Sequence, residues 1–382
     1  MFRKPPIKFF FNHAKLAGGQ HRARRIRIFS QILKKGVFFS GNQVHKLINN
    51  LHSWLGKDGF VTTVASGHDA ILLSLQSLKL KPNDEVIFPV NSYPTAFPIV
   101  QSGVKAVPCD VDGNGQIDIE AMKKLITNNT KAVVLVHLYG NTTDIESIVN
   151  YLSNKNIFLI EDSAQAFGTR FNGKPVGTFG DIGCFSFYPT KNLGTVGDGG
   201  AIWTKHKYLY DYIVKAKSYG EGVRYFSEFI AGHSRMPELQ AGILNLYFSS
   251  IEKDFIRRKN VRSYYLQRIN DLNLHSSIRV LGSNLNSDPT PHLFVIDVPN
   301  RDSLKKFLRR YDIESYVHYP LPVHLVPAFS ILEYKKGDFP VAEKLSERIL
   351  SLPFHQGLSR KAIDYILSAV REFYRLHTRR IR

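Results

Sequence analysis

Ile182-Gly183-Cys184-Phe185-Ser186-Phe187-Tyr188-Pro189-Thr190-Lys191-Asn192-Leu193-Gly194-Thr195-Val196-Gly197-Asp198-Gly199-Gly200-Ala201-Ile202-Trp203-Thr204 is the stretch on which the reading of this chain turns. Two apolar runs, Ile182–Phe187 and Ala201–Thr204, have the length of buried strands, and between them lies a turn with four glycines in seven residues and a single lysine. Glycine at that density lets backbone pack against a ligand. A lysine in such a turn is not an ordinary solvated lysine. Burial depresses its pKa and makes it a nucleophile able to form a Schiff base. The turn is not a Walker loop, because no Gly-x-x-x-x-Gly-Lys-Ser/Thr occurs in the chain.

Outward from this stretch the pattern alternates. Further strands are expected at Phe60–Ala65, Glu85–Val90, Lys105–Cys109, Ala132–Leu138 and Ile157–Glu161. Helices are expected from Gly41-Asn42 to Gly56, and at His68–Leu78, Thr95–Ser102, Ile119–Thr127, Thr143–Ser153 and Pro237–Ser249. The strands are continuous apolar runs, which marks a sheet buried on both faces. The expected fold class is α/β, a mostly parallel sheet sandwiched by helices, with ligands at the carboxyl ends of the strands. After about residue 250 the pattern changes to a long charged helix, Ile251–Leu272, a strand at Leu293–Val298, helices at Asp302–Tyr311, Ala342–Leu350 and Arg360–Leu376, and a Pro- and His-rich loop, Tyr316–Pro327. The expected division is a basic arm without clear periodicity (1–40), a large α/β domain (41–250) and a smaller α+β domain (251–382).

Composition bounds the rest. With 382 residues, 43% apolar and 22% charged, the chain is globular rather than disordered, collagenous or coiled-coil. No run approaches the roughly 18–20 apolar residues of a bilayer span. Two cysteines, Cys109 and Cys184, exclude a disulfide framework and cysteine-rich zinc modules. The basic start, Met1–Ala14, lacks a secretory core segment, so a reducing cytoplasm is the expectation. The net charge of +19 is concentrated at the ends: ten Lys or Arg and no acid in residues 1–35, and five Arg against one Glu in residues 371–382. Such ends suit an anionic substrate, or are simply solvated tails. No helix-turn-helix, zinc finger or RNA-binding aromatic motif accompanies them, and nucleic acid is not an expected partner. No His-Glu-x-x-His occurs, and no metal is expected.

Two further sites lie at strand ends. Ala65-Ser66-Gly67-His68-Asp69-Ala70 turns from strand into helix, where exposed amides make an anion site. Glu161-Asp162-Ser163-Ala164-Gln165 puts two carboxylates at a strand's carboxyl end. An anion cradle, a carboxylate and a Schiff-base lysine on one sheet are together what pyridoxal 5'-phosphate (PLP) requires.

These residues resemble the DegT/StrS family of PLP-dependent nucleotide-sugar aminotransferases, with the fold-type-I architecture. The resemblance runs from about Phe39 to Leu358 and rests on the spacing of Asp162 and Lys191, the segments Asp162–Gly168, Ser186–Gly200 and Arg235–Ala241, His318–His324, and Leu352-Pro353. It implies that Lys191 is the catalytic residue, binding the cofactor covalently and later moving the proton, and that Asp162 pairs with the pyridine nitrogen. Gln165 lies near the ring, Tyr93 stacks on it, and Ser66, Gly67, His68 and Ser186 take the phosphate. Tyr188, His318 and Tyr319 lie near the sugar. Two positions depart from the family pattern: His68 stands where a small hydroxyl is usual, and His233 where an asparagine reaches the phosphate from the neighbouring subunit. The basic arm has no counterpart in that pattern. A homodimer with shared sites is implied, with Gly232–Ala241 crossing. The implied reaction moves an amino group from glutamate to a keto-sugar on a nucleotide diphosphate, dTDP or UDP, for amino-sugar and surface-polysaccharide (lipopolysaccharide) biosynthesis.

The residues around Lys191 are similar to the branch acting on 3-keto sugars, with 4-keto sugars the alternative. A dehydrating branch has histidine in place of the lysine, so Lys191 argues against it. A non-catalytic protein binding nucleic acid or an anionic surface through its basic ends is the rival from another class, and it leaves Asp162 and Lys191 without a purpose.

Overall fold

The structure is a computed structural model that describes residues 21–282 and 287–378. Seven strands form one sheet: β1 (Phe60–Val64), β2 (Glu85–Pro89), β3 (Lys105–Cys109), β4 (Thr130–Val136), β5 (Phe158–Asp162), β6 (Ile182–Ser186) and β7 (Gly200–Thr204). Their order is β1-β7-β6-β5-β4-β2-β3. The pairs from β3 to β6 are parallel, and β7 runs antiparallel between β6 and β1. All seven expected strands are in this sheet, and the mostly parallel α/β class holds.

The sheet is buried on both faces because successive residues of a strand point to opposite sides. On β4, Ala132, Val134 and Val136 enter one core, with Ile71 and Leu75 of α3 (Gly67–Ser77). Val133 and Leu135 enter the other, with Ile145, Ile148 and Leu152 of α6 (Ile145–Ser153). Both cysteines are free and buried in the sheet, and burial pushes the Cys109 thiol up to about 12.

Register carries the functional geometry. Val64, Gly200 and Ser186 lie side by side across β1, β7 and β6, and Asp162 pairs with Cys184 one strand further on. The antiparallel insertion of β7 therefore brings the Ser66-Gly67 turn beside Ser186. Gly200 is required there: a Cβ on it would lie 2.3 Å from the Ser66 carbonyl oxygen and 3.0 Å from the Gly67 nitrogen. Gly200→Ala is expected to push the start of α3 off the sheet, at a cost of about 1–3 kcal/mol, and to weaken PLP binding. Thermal melting and PLP titration check both.

A second core gathers residues between Val261 and Phe373 around a small antiparallel sheet, β8 (Arg279–Val280), β9 (Phe294–Asp297) and β10 (Ile349–Leu352). Helix α9 (Ile251–Asp271) joins the two regions: Ile251 and Phe255 enter a core of the large sheet, while Val261, Tyr265 and Ile269 enter the second.

Two expectations need correction. Residues 22–35 are not irregular but form a helix, α1 (Arg22–Lys35), closed by Gly36 at φ 66°. Its buried stripe is narrow, with Ile32 buried and Ile28 seated on Gly242 of α8 (Glu238–Phe248). Charge and apolar residues otherwise alternate around it, which hides the period. Residues 1–20 of the expected arm lie outside the described residues. A helix at α7 (Lys207–Ala216) was also not expected; its buried Leu209, Ile213 and Ala216 follow helical spacing between tyrosines and lysines. Among the described residues, no helix is long and apolar enough to cross a membrane and no metal-ligand cluster occurs.

Candidate active site

Asp162 is the last residue of β5 and is 5% exposed. Its two oxygens are held apart by two donors: Thr95 Oγ1 to Oδ2 at 2.7 Å, and the Ala164 amide to Oδ1 at 3.0 Å. Thr95 is itself 2.6 Å from Ser92 Oγ, so the start of α4 (Tyr93–Gln101) orients the carboxylate. Glu161, its neighbour in sequence, points to the other side. There it accepts hydrogen bonds from the Gly177, Phe179 and Gly180 amides at 2.7 Å and pairs with His137 at 2.9 Å. Of the two carboxylates expected at this strand end, one is structural and one is available to a ligand.

Lys191 lies half-buried in the turn after β6, its backbone amide donating to the Tyr188 carbonyl at 2.9 Å. Burial pulls its ammonium down to about 8, and the Asp162 carboxylate partly opposes this. A substantial neutral fraction therefore exists near physiological pH. The uptake of PLP by the apo protein is expected to accelerate with pH and level off near pH 8, because the neutral amine is the reacting form. Stopped-flow absorbance tests this; a rate still climbing well above pH 8 contradicts the buried amine.

The phosphate cradle is built from close backbone contacts. A Cβ on Gly67 would lie 2.6 Å from Ser186 Cβ and 3.1 Å from Ser186 Oγ, so α3 starts directly over that hydroxyl. Ser66 caps α3 by accepting from the Asp69 amide at 3.0 Å. The Tyr188 amide reaches Ser186 Oγ at 3.4 Å, and the Tyr188 side chain is exposed.

Gln165, Tyr319, His318 and Tyr93 converge. Gln165 Oε1 accepts from the Tyr139 amide at 2.8 Å, and its Nε2 reaches the Tyr319 hydroxyl at 3.4 Å. Tyr139 donates its hydroxyl to the His318 carbonyl at 2.5 Å. The Tyr93 ring lies 5.8 Å from that of Tyr319. Burial and the Asp162 charge push the Tyr319 hydroxyl up, which keeps it protonated. His318 sits 2.9 Å from Ser351 Oγ. Burial, and then the Lys191 ammonium, pull it down to about 4, so it is neutral.

The two unusual histidines are placed differently. His68 stands in the first turn of α3 with Nε2 2.7 Å from Gln101 Oε1. His233 is exposed, its ring 5.4 Å from that of Tyr219, and within one chain it does not join the cradle.

Sequence reasoning missed His292, Asn192 and Thr95. His292 is 7% exposed and is held far below its ordinary value by burial, and then by Lys191, Arg258 and His318. Asn192 donates to the Phe167 and Thr290 carbonyls at 3.2 and 2.8 Å. His292 Nδ1, Asn192 Oδ1 and Thr290 Oγ1 are buried without a hydrogen-bond partner among the described residues. The adjacency of Asn192 to the lysine was a sequence signal; His292, 101 positions away, carried none.

PLP fits this site. The cradle matches a phosphate, Asp162 a protonated ring nitrogen and Lys191 an aldehyde, while orphaned polar atoms beside the lysine offer further contacts.

Residues 20–371 match the DegT/DnrJ/EryC1/StrS aminotransferase family. The chain belongs to that family. It is similar to a pleiotropic regulatory protein of Geobacillus stearothermophilus, 33% identical over 92% of this chain and 94% of the relative. It is also similar to the dTDP-3-amino-3,6-dideoxy-alpha-D-galactopyranose transaminase of Aneurinibacillus thermoaerophilus, 34% identical over 90% of this chain and 93% of that one. Among solved structures it resembles S. venezuelae DesV, with 31% identity and a TM-score of 0.91, covering 96% of this chain and 98% of that one. The DegT/DnrJ/EryC1/StrS match begins at residue 20, so helix α1, expected to fall outside the family pattern, lies inside it. The resemblance read from the sequence holds: this family member is a PLP-dependent sugar aminotransferase.

Proposed function

We propose that this enzyme transfers the amino group of glutamate to the 3-keto group of a dTDP- or UDP-linked hexose, for amino-sugar and surface-polysaccharide biosynthesis in the cytoplasm. The observation that carries the reading is the placement of Lys191 and Asp162 beside the Ser66-Gly67-Ser186 cradle at one sheet edge. The 3-keto choice is supported by the Phe187–Gly200 sequence and by the name of the A. thermoaerophilus relative.

When bound, PLP supplies an aldehyde that takes up the amino group and a ring that stabilises negative charge. Asp162, oriented by Thr95 and Ala164, accepts a hydrogen bond from the ring nitrogen and favours its protonated form. Lys191 Nζ holds the cofactor and moves the proton, a task suited to an amine near the operating pH. Ser66, Gly67 and Ser186 hold the phosphate, and His68 contributes from α3. Tyr93 and Gln165 orient the ring, while Tyr188, His318 and Tyr319 flank the sugar. A homodimer completes the site, with Gly232–Ala241 crossing and His233 reaching the partner's phosphate. The chain is divided near residues 40 and 250.

The test is the visible absorbance of the holoenzyme before and after glutamate, beside Lys191→Ala, followed by trials with 3-keto and 4-keto nucleotide sugars. A band that bleaches with glutamate, and product from the 3-keto sugar, support the reading. Product from the 4-keto sugar alone overturns the choice of position. Salt-dependent nucleic-acid retention without a spectral response favours the binding-protein rival.

A further inference from the structure

The segment around His233 is tied to the phosphate cradle of its own chain. Ser234, the next residue, is 4% exposed. Its hydroxyl donates to Asp69 Oδ2 at 2.7 Å and accepts from the Ala65 amide at 2.9 Å. Asp69 stands in the first turn of α3, and its backbone amide donates to Ser66 Oγ at 3.0 Å. One residue thus holds the cradle turn with its backbone and the His233 segment with its carboxylate. A buried hydroxyl that donates to one group and accepts from another has a fixed orientation, and its bond to a carboxylate is stronger than one between neutral groups.

The start of the same segment is anchored close by. The Ser234 amide donates to the Lys217 carbonyl at 2.9 Å, and the Tyr219 amide to the Gly232 carbonyl at 2.8 Å. Ser218 and His233 form an antiparallel bridge. Lys217 Nζ donates to Thr62 Oγ1 at 2.7 Å and to the Thr63 carbonyl at 3.1 Å, both on β1. Between these anchors the short strands Glu221–Val223 and Phe226–Ser227 make a two-stranded sheet of their own. Val223, Tyr225, Phe226 and Ile230 are exposed there, Ile230 completely. Large apolar side chains gathered on one exposed loop suit another chain better than water. His233 is exposed at the foot of this loop, so the base that Ser234 and Asp69 fix is what aims it.

We propose that Asp69 and Ser234 are positioning residues that act across the subunit boundary: their hydrogen bond in one protomer aims His233 at the phosphate bound by the other. This rests on the shared-site homodimer proposed above. Neither residue needs to touch the cofactor. The turn that cradles one phosphate and the segment that serves the other are held by a single carboxylate, which links the two sites through the start of α3.

The experiment uses full-length holoenzyme assembled from two differently tagged subunits, so that mixed dimers can be isolated. In every mixed dimer one subunit carries Lys191→Ala, which leaves a single site with its lysine. Release of PLP from that site is read as the decay of its visible band on dilution. With Ser234→Ala on the lysine-free subunit, the intact site depends on an unclamped segment, and release is expected to quicken about tenfold, the value of one hydrogen bond to a charged group. With Ser234→Ala on the lysine-bearing subunit, release is expected to keep the wild-type rate. Asp69→Ala keeps the amide that donates to Ser66 and is expected to follow the same pattern. Asp69→Asn, which still accepts from the hydroxyl, is expected to lose less. If Ser234→Ala does not fold, Asp69→Ala decides. The inference is overturned if release is unchanged in both arrangements, if it quickens only when the substitution shares a chain with the lysine, or if it quickens equally in both. His233→Ala on the lysine-free subunit tests the underlying reading. Faster release there, with no effect from Ser234 or Asp69, removes the clamp alone. No effect there, or no mixed dimer, removes the shared site as well.

Discussion

Lys191→Ala is expected to lower the glutamate half-reaction by about 10⁴-fold, the upper range for loss of a positioned acid–base group. The same substitution is expected to stabilise the apo protein. A lysine held near 8 against an ordinary 10.5 is a cation that the fold disfavours at neutral pH. Removing it relieves a penalty of about 1–3 kcal/mol, allowing for its partial exposure. The opposed signs are diagnostic: rapid-scan absorbance reads the lost rate and thermal melting of the apo form reads the gain. A loss of both contradicts a buried, functionally tuned amine. Between about 8 and 10.5 the unfolded chain binds the proton and the folded one does not, so wild-type apo stability rises with pH through that window, and the variant lacks this rise.

Asp162→Asn is expected to lower turnover by roughly 10²–10⁴-fold, the equivalent of about 3–5 kcal/mol for breaking a buried charge pair. Asparagine has nearly the same shape and can still accept from Ala164, so the cofactor should bind while the protonated ring nitrogen loses its counter-charge. The informative readout is kcat with the cofactor band retained. Thr95→Val tests the orienting hydroxyl: a fall of about tenfold is expected, the value of one hydrogen bond to a charged group. Full activity in Asp162→Asn removes the residue from the mechanism.

Much of the fold was legible because its signals are local. Every strand of the central sheet is a short apolar run bounded by turn residues, and the three chemical motifs lie at their ends. Helix α1 was illegible because Ile28 and Ile32 are its only apolar residues that face the protein, too narrow a stripe to show a period among six basic residues. Helix α7 was hidden in the same way by its tyrosines and lysines. His292 could not be found from sequence, because a lone histidine before an apolar strand has no spacing relation to Lys191. The Glu161–Asp162 pair shows the opposite case: the sequence located both carboxylates, and the pleat assigned them different tasks.

The sequence by itself determined where the strands of the central sheet fall along the chain, the family and the identity of the lysine, the carboxylate and the cradle, since each depends on short local stretches of residues. Tertiary structure decided which of them meet. Strand β7 runs antiparallel between β1 and β6, so Ser66-Gly67 and Ser186, 119 residues apart at Gly67, share one edge. The start of α9 and the docking of α1 place Arg25 and Lys253, 228 positions apart in sequence, on the wall of one cavity. Proximity of that kind comes from hydrogen-bond register and packing between distant segments, which no local pattern encodes.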